Sequence, residues 1–138
     1  MLHIVTHYRI SEAAQLLGVS TDTVRRWIEA GSLPGVLDDG GRRVVPGADL
    51  ARWAQHLAHV PQDPSGVASS ARNRFVGLVT AITADTVMAQ VELQCGPHRV
   101  VSLMSSEAVR DLGLEIGSTA VAVVKATTVI VETARATG

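Results

Sequence analysis

The sequence predicts a two-domain α+β protein, with a mainly helical N-terminal half and a C-terminal half of short β-strands. Apolar residues recur at helical spacing before Val60 and alternate with polar residues, as in strands, after Gly66. Residues 60–66 contain two prolines, a glycine and no apolar pattern, which is typical of a linker. We therefore expect domains at 1–59 and 70–138, joined by residues 60–69.

Composition indicates a folded protein rather than a membrane or disulfide-rich one. Of the 138 residues 46% are hydrophobic but 3% aromatic, so the core must be built from Val, Ala, Leu and Ile. No apolar run reaches the roughly 18 residues of a membrane span, and residues 1–10 lack the order of a secretory signal. One cysteine, Cys95, cannot form an internal disulfide. We expect a cytoplasmic protein with no membrane partner.

Two helices joined by a short turn are predicted first. The first begins at the N-cap Ser11, ends at Gly18 and should bury one apolar face, formed by Ala13, Ala14, Leu16 and Leu17. The second starts at Ser20 or Thr21 and is closed by Gly31. Two helices around a turn of residues 18–20 have the layout of a helix-turn-helix.

A hairpin and a third helix complete the N-terminal domain. Two short extended segments, residues 36–37 and 42–45, flank an Asp-Asp-Gly-Gly turn, which predicts a β-hairpin, or wing. Residues 46–49 then open a helix that carries Leu50, Trp53 and Leu57. The domain is therefore expected to be a winged helix-turn-helix.

Five short strands and one short helix are predicted in the C-terminal half. The strands lie at residues 75–82, 86–93, 99–104, 120–124 and 129–131, with the helix at 105–112. A single helix after the third of five strands predicts a small Greek-key β-barrel of OB type.

The second helix and the wing carry the residue types that suit DNA. A helix in the major groove needs short polar residues near its N-terminus and basic residues one turn later. We predict that Thr21, Thr23 and Arg26 approach bases and that Arg25 holds a phosphate. The wing offers Arg42 and Arg43, one for a phosphate or the minor groove and the other to pack along the hairpin. A solvated helix face is the alternative interpretation of Arg25 and Arg26. The formal net charge of −1 does not exclude a local basic face.

Three segments of the second domain could hold an anion. A tetrahedral dianion needs positive charge and several converging N–H and O–H donors. Residues 70–73, 105–107 and 125–128 each supply such groups. Taken singly, each segment is more often structural, as a helix cap or a solvated charge.

The N-terminal motifs resemble the MerR and excisionase winged-helix superfamily over nearly all of residues 8–57. The resemblance is carried by Tyr8–Ser20, Thr23–Trp27, Gly31–Pro34 and Gly41–Arg43. It implies binding of double-stranded DNA through the second helix and the wing. Gly41 stands where typical members have His or Lys, and the chain lacks the long C-terminal coiled coil through which MerR proteins pair.

The C-terminal motifs resemble the molbindin, or Mop/TOBE, domain. They are Ser70–Asn73, Gly77, Ser105–Glu107, Leu112–Leu114 with Gly117, and Lys125–Val129. The resemblance implies molybdate or tungstate held between subunits, with one side supplying Ser70 and Arg72. The other side would supply Ser105, Lys125, the backbone of Ala126, and Thr127. One copy of the domain implies a homo-oligomer, a dimer at least, with a hexamer through the barrels as the larger alternative.

These expectations combine into a molybdate- or tungstate-responsive DNA-binding regulator of transcription that is not an enzyme. No catalytic constellation is predicted, and the five histidines form no metal-ligand set. One alternative is a molybdate storage protein with a vestigial head, which Arg25, Arg26, Arg42 and Arg43 disfavour. The other is a DNA-binding protein whose barrel only oligomerises, which Ser70, Arg72 and Lys125 disfavour.

Overall fold

A computed structural model describes residues 6–134. The chain divides between His59 and Val60 into two compact units, each with a hydrophobic core of its own. Helices dominate the first unit and antiparallel strands the second, so the predicted α+β class is confirmed.

The first unit contains three helices and a small sheet. Its elements in chain order are β1 (His7–Arg9), α1 (Ile10–Leu17), α2 (Thr21–Glu29), β2 (Val36–Leu37), β3 (Arg43–Pro46) and α3 (Gly47–Leu57). The sheet is antiparallel with the order β1-β3-β2. The hairpin is the predicted wing, whereas β1 was not anticipated, because three residues are too short to show a periodicity.

Capping explains the bounds of α1 and α2. The predicted N-cap Ser11 is wrong, because the N-cap is Arg9, two residues earlier, and the Arg9 amide donates to the Glu12 carboxylate at 3.0 Å. Gly18, at φ 67°, ends α1 in the left-handed conformation that favours glycine. The Ser20 hydroxyl accepts a hydrogen bond from the Thr23 amide at 3.1 Å and caps α2.

The core of the first unit lies between the helices and β3. Its buried residues are Ala13, Ala14, Val24, Leu33, Val45 and Leu50. The prediction that Leu16 belongs to this face is wrong, since Leu16 is 62% exposed. At about 100° per residue, Leu16 points roughly 100° away from the centre of the face that Ala13, Ala14 and Leu17 form.

The second unit is a four-stranded antiparallel sheet with the order β6-β5-β4-β7. Its strands are β4 (Asn73–Ala84), β5 (Met88–Cys95), β6 (His98–Ser105) and β7 (Thr119–Val124), with helix α4 (Ser106–Asp111) after β6. One face of the sheet buries Val79, Val91, Leu93 and Cys95. The central strand β4 therefore pairs on both sides and organises the unit.

The predicted strand at residues 129–131 is wrong within a single chain. A 3₁₀ turn at Ala126–Thr128 follows β7, and the next residues form no strand. Ile130 and Val131 are 84% and 88% exposed. Their apolar side chains suit a strand, but within residues 6–134 no sheet edge pairs with them. The described part of the second unit is consequently an antiparallel sheet of four strands, without the fifth strand that was predicted for the OB-type barrel.

Residues 60–69, interpreted as a linker, contain no helix or strand and group with the second unit. Part of this segment is fixed to the sheet, because Arg74 Nε donates to Asp63 Oδ2 at 2.8 Å. This hydrogen bond, with further ones from Ser65, lowers the pKa of Asp63 to about 2. The segment is therefore attached to β4 rather than wholly free.

Replacing Gly77 with alanine should destabilise the second unit selectively. A Cβ at this position would lie 2.5 Å from the Gln94 carbonyl oxygen and 2.6 Å from Cys95 Sγ, so β4 and β5 would have to separate. Overpacking of this kind costs about 1–3 kcal/mol. Both tryptophans lie in the first unit, so their fluorescence should report an unchanged denaturant midpoint while circular dichroism reports an earlier one. Gly40→Ala is the control, because its Cβ would meet only Asp38 Oδ1, at 3.5 Å. An unchanged dichroism transition for Gly77→Ala would contradict the close approach.

The Asp63–Arg74 pair should make the second unit sensitive to acid. Since the folded pKa of Asp63 lies near 2 and its ordinary value is 3.8, the pair stabilises the unit above about pH 4. That contribution is lost as the pH falls through 4 towards 2. Asp63→Asn should therefore make the loss of stability between pH 4 and 2 shallower, measured by urea unfolding at each pH. Asp111→Asn, which removes a carboxylate elsewhere in the unit, should keep the wild-type loss. Identical pH profiles for Asp63→Asn and wild type would rule out the pair.

Candidate nucleic-acid surface and anion site

A chain of hydrogen bonds organises the outer face of α2. The Thr23 hydroxyl lies 2.9 Å from the Ser20 hydroxyl and accepts from Arg26 Nη2 at 3.3 Å. Thr23 and Arg26 thus lie together on the solvent side, and the Arg26 guanidinium is held beside the short polar side chains at the helix start. Thr21, the first residue of α2, is partly buried.

Arg25 is held more loosely on the same helix. Its Nη1 lies 3.2 Å from Asp22 Oδ1, and the two side chains are 53% and 82% exposed. An ion pair this exposed contributes about 0–1 kcal/mol, because water competes for both partners. Arg25 can therefore exchange Asp22 for another anion, such as a phosphate, at little cost.

One aspartate shapes the turn of the wing. The Asp38 carboxylate accepts from the backbone amides of Gly40 at 2.9 Å and Arg42 at 2.8 Å. Gly41 adopts φ 77°, where a side chain would be strained. The sequence predicted the Asp-Asp-Gly-Gly turn, but not that the Asp38 carboxylate accepts both of these hydrogen bonds. The exposed side chain of Arg42 follows directly on this rigid turn.

The base of the wing packs on α2 through a glycine. A Cβ on Gly35 would lie 2.7 Å from Ile28 Cγ2 and 3.5 Å from Arg43 Cδ. The absence of a side chain at Gly35 therefore lets the hairpin approach α2. Arg43 Cδ therefore lies near the base of the hairpin, although the residue as a whole is exposed.

Aromatic contacts hold α2 against α3. Trp27 and Trp53 meet edge to face, with ring centroids 5.6 Å apart at 72°. The His56 ring stacks on the Trp53 ring, with their centroids 5.1 Å apart. The buried Trp53 Nε1 has no hydrogen-bond partner within the described part of the chain. This packing fixes the orientation in which α2 presents its polar face.

Two of the predicted anion segments leave the sheet at the same end. Asn73, the first residue of β4, is opposite Val124, the last of β7, and its Nδ2 donates to the Val124 carbonyl at 3.2 Å. Arg72 directly precedes Asn73, and Lys125 directly follows Val124. The pairing thus places a guanidinium and an ammonium on neighbouring strand ends.

Donors in these two segments are available to a ligand. Ala71 is buried and its amide donates to the Ser69 hydroxyl, which leaves Ser70 and Arg72 exposed on either side. The Thr128 hydroxyl donates a hydrogen bond to the Lys125 carbonyl at 2.8 Å. Within residues 6–134, the side chains of Arg72, Lys125 and Thr127 donate to no protein acceptor. Ala126, the first residue of the 3₁₀ turn, is exposed.

Ser105 lies at the opposite end of the sheet. It is opposite Met88, the first residue of β5, where β4 ends at Ala84. The 12 residues of β4, at most about 36 Å of strand, separate this end from Asn73. The Ser105 hydroxyl accepts from the Ala108 amide at 3.0 Å and caps α4. The structure does not bring Ser105 to Lys125 within one chain, so a site containing both requires two chains.

Several carboxylates elsewhere in the second unit have structural roles. Amides of Met88 and Val87 donate to Asp85, which lowers its pKa and fixes the β4–β5 turn. The Arg99 side chain donates to Glu92 and lowers the pKa of that carboxyl. Desolvation raises the pKa of the Cys95 thiol. None of these groups lies in the segments that carry Arg72 and Lys125.

The described residues show neither a metal-ligand cluster nor a membrane-spanning helix. Among residues 6–134, no group of three His, Cys, Asp or Glu side chains could hold a metal ion. His3 lies outside these residues. None of the helices described is long and apolar enough to cross a membrane.

Comparison with known proteins matches both halves of the chain. A family model described as a helix-turn-helix domain matches residues 8–57, and one described as a TOBE domain matches residues 69–131. The first model covers helix-turn-helix domains in general, so the finer MerR and excisionase assignment stays a prediction.

Relatives match the second half. Molybdenum-pterin-binding protein 3 of Clostridium pasteurianum is 38% identical over 63 residues, which are 45% of this chain and 93% of that protein. Molybdenum transport protein ModE of Herbaspirillum seropedicae is 38% identical over 66 residues, 47% of this chain. The chain spans 24% of the length of that ModE. A solved molybdate binding protein from Sporomusa ovata is 31% identical with a TM-score of 0.47, covering 49% of this chain and 100% of that one.

The family model described as a TOBE domain matches residues 69–131, and a relative that is 38% identical is covered over 93% of its length. The chain therefore belongs to the family of TOBE-domain proteins, and it carries a helix-turn-helix domain ahead of its TOBE domain.

Proposed function

We propose that this protein is a cytoplasmic regulator of transcription that binds DNA through its first unit and molybdate or tungstate through its second. It acts by binding and catalyses no reaction. The observation that carries the proposal is the pairing of Asn73 with Val124, which brings Arg72 and Lys125 to one end of the sheet. The names of the relatives, which refer to molybdenum, support the choice of anion.

The donors at this end suit an oxyanion. A guanidinium supplies two parallel N–H groups, and an ammonium supplies a point charge with three donors. The hydroxyls of Ser70 and Thr127 and the amide of Ala126 complete the set. Charge-assisted hydrogen bonds of this kind are roughly twice as strong as neutral ones. Two neighbouring cations without a protein carboxylate are stabilised when a dianion lies between them.

A second copy of the chain would complete the site. In one chain the candidate donors are exposed, so water competes with any anion. A partner could supply Ser105 from the far end of its own sheet and exclude that water. The exposed apolar residues 129–131 support association, as does an open hollow of about 710 Å³ lined by Val91, Leu93, Val100 and other apolar residues. We therefore propose a homo-oligomer, at least a dimer, formed through the second units.

The first units of two chains would then bind DNA together. In this proposal α2 enters the major groove, with Thr21, Thr23 and Arg26 towards bases and Arg25 on a phosphate. Arg42 reaches the backbone or the minor groove from the wing. Symmetric pairing of two heads suits palindromic half-sites. Anion occupancy would favour one arrangement of the second units, with a coupling of about 1–3 kcal/mol, or 5–150-fold in affinity.

Calorimetric titration with sodium molybdate, tungstate and sulfate tests the anion site. Arg72→Gln and Lys125→Gln should each weaken molybdate binding about 10-fold or more, because each removes a charged hydrogen bond worth about 1.5–3 kcal/mol. Sulfate should bind more weakly, since its shorter bonds reach fewer donors at once. Arg99→Gln, which removes a cation paired with Glu92 on the same sheet, should bind molybdate like wild type. Unchanged binding in both site variants would place the anion elsewhere, and a wild type that binds no molybdate would leave a barrel that only oligomerises.

Selection from a random duplex library, with and without molybdate, tests the DNA surface. Arg26→Ala should reduce the free energy of DNA binding by about 1–3 kcal/mol and relax the sequence preference at one base. Arg25→Ala should weaken binding to all sequences evenly and reduce the slope of log affinity against log salt concentration by about one. Arg52→Ala, on α3, is the matched control. Molybdate should shift the affinity for the selected sequence at least about fivefold. Anion binding without any salt-dependent DNA binding would instead indicate a storage protein.

A further inference from the structure

A cluster of three side chains fastens the segment before β4 to the sheet. Arg74 Nε donates to Asp63 Oδ2 at 2.8 Å, and Arg74 Nη2 donates to the Ser65 hydroxyl, also at 2.8 Å. The Ser65 hydroxyl in turn donates to Asp63 Oδ1 at 2.7 Å. We call Asp63, Ser65 and Arg74 the linker clamp.

Among the ion pairs of the described residues, the linker clamp holds the most buried arginine. The Arg74 side chain is 23% exposed, against 53%, 69% and 61% for Arg25, Arg52 and Arg99, and its partner Asp63 is 35% exposed. Both Asp63 oxygens are used, because Oδ1 also accepts from the Ser65 amide at 2.9 Å. The Val67 amide donates to Ser65 at 3.3 Å and extends the ordered segment. An ion pair with two donors and partial burial holds its geometry better than a solvated pair.

The clamp shortens the part of the chain that is free to move between the two units. Helix α3 ends at Leu57, and the clamp begins at Asp63, so the six intervening steps reach at most about 20 Å. Without the clamp, the next fixed point is the buried Ala71, and 14 steps reach at most about 50 Å. The difference, about 30 Å, is close to the 34 Å of one helical turn of DNA.

The clamp also adjoins the candidate anion site. Arg74 is opposite Val123 in the β4–β7 pairing. Arg72 lies two residues before Arg74, and Lys125 lies two residues after Val123. The same strand ends therefore carry both the anion donors and the anchor of the tether.

We propose that Asp63, Ser65 and Arg74 are positioning residues that set the tether of each DNA-binding unit and thereby the spacing of the half-sites that the protein accepts. The inference rests on the proposed function, since it assumes that two first units bind DNA together. With the clamp closed, the short tether restricts the spacings that two heads can span. With the clamp open, each of the two tethers is up to about 30 Å longer, so the heads can reach half-sites one to two turns further apart, but their effective concentration falls.

The test uses the full chain and two measurements. Hydrogen exchange at the amides of Ser65 and Val67 reports whether the clamp is closed. Binding is then measured on duplexes with two copies of the selected half-site, their separation increased one base pair at a time over two turns. The clamp variants are Asp63→Ala with Ser65→Ala, which change only the linker side, and Arg74→Gln. Arg99→Gln is the matched control, because it breaks the Glu92 pair on the same sheet and leaves the linker untouched.

We expect wild type and Arg99→Gln to protect both amides and to bind best at one narrow spacing. The clamp variants should lose that protection. They should bind the spacing preferred by wild type about fivefold or more weakly, and they should bind spacings one turn longer with about the same affinity as that spacing. The same narrow preference in variants whose amides exchange freely would overturn the inference and leave paired DNA binding intact. Unprotected amides in wild type would overturn it as well. Wild type that protects its amides but binds paired and single half-sites equally would instead refute paired binding by the proposed regulator, and the inference with it.

Discussion

The pairing of β4 with β7 is the constraint on which the functional interpretation depends. Asn73 and Val124 are 51 residues apart in the sequence, yet they are opposite each other and share a hydrogen bond. Any residues that leave the sheet beyond this pair must lie close together. Here those residues are Arg72 and Lys125, two cations without a carboxylate partner in the described part of the chain. Neighbouring like charges repel, and a bound anion would relieve that repulsion.

The same antiparallel order explains why the proposed site, if it includes Ser105, needs a second chain. Strands β4, β5 and β6 alternate in direction, so the end of β6 with Ser105 lies at the opposite end of β4 from Asn73. No rotation of a side chain can span that distance. Residues 129–131 are likewise apolar and exposed, and they pair with no strand within residues 6–134. A second chain would resolve both features at once, since it could supply a hydroxyl to the site and cover the apolar surface.

Local signals in the sequence predicted the first unit better than the second. Gly18 and Ser20 determine the helix bounds through their own backbone conformation and hydroxyl, so the two helices could be located without tertiary information. Leu16 was misplaced because a helix of eight residues leaves the orientation of its apolar face uncertain by one position. The prediction of a strand at residues 129–131 was wrong because a strand forms only where a second strand pairs with it through hydrogen bonds. The sequence suggested the anion residues by resemblance, but which end of the sheet carries each is set by register.

The arginines divide according to how firmly the protein itself holds them. Arg74 is partly buried and committed to Asp63 and Ser65, so another anion would have to displace a protected carboxylate. Arg25 is held by an exposed partner that contributes little, and it can transfer to a phosphate almost without penalty. Arg72 has no protein acceptor within residues 6–134 and gains the full benefit of a bound anion. Because a side chain serves a ligand only with the hydrogen-bonding capacity that its own fold leaves unused, Arg74 suits an anchor, Arg25 a phosphate contact and Arg72 an anion ligand.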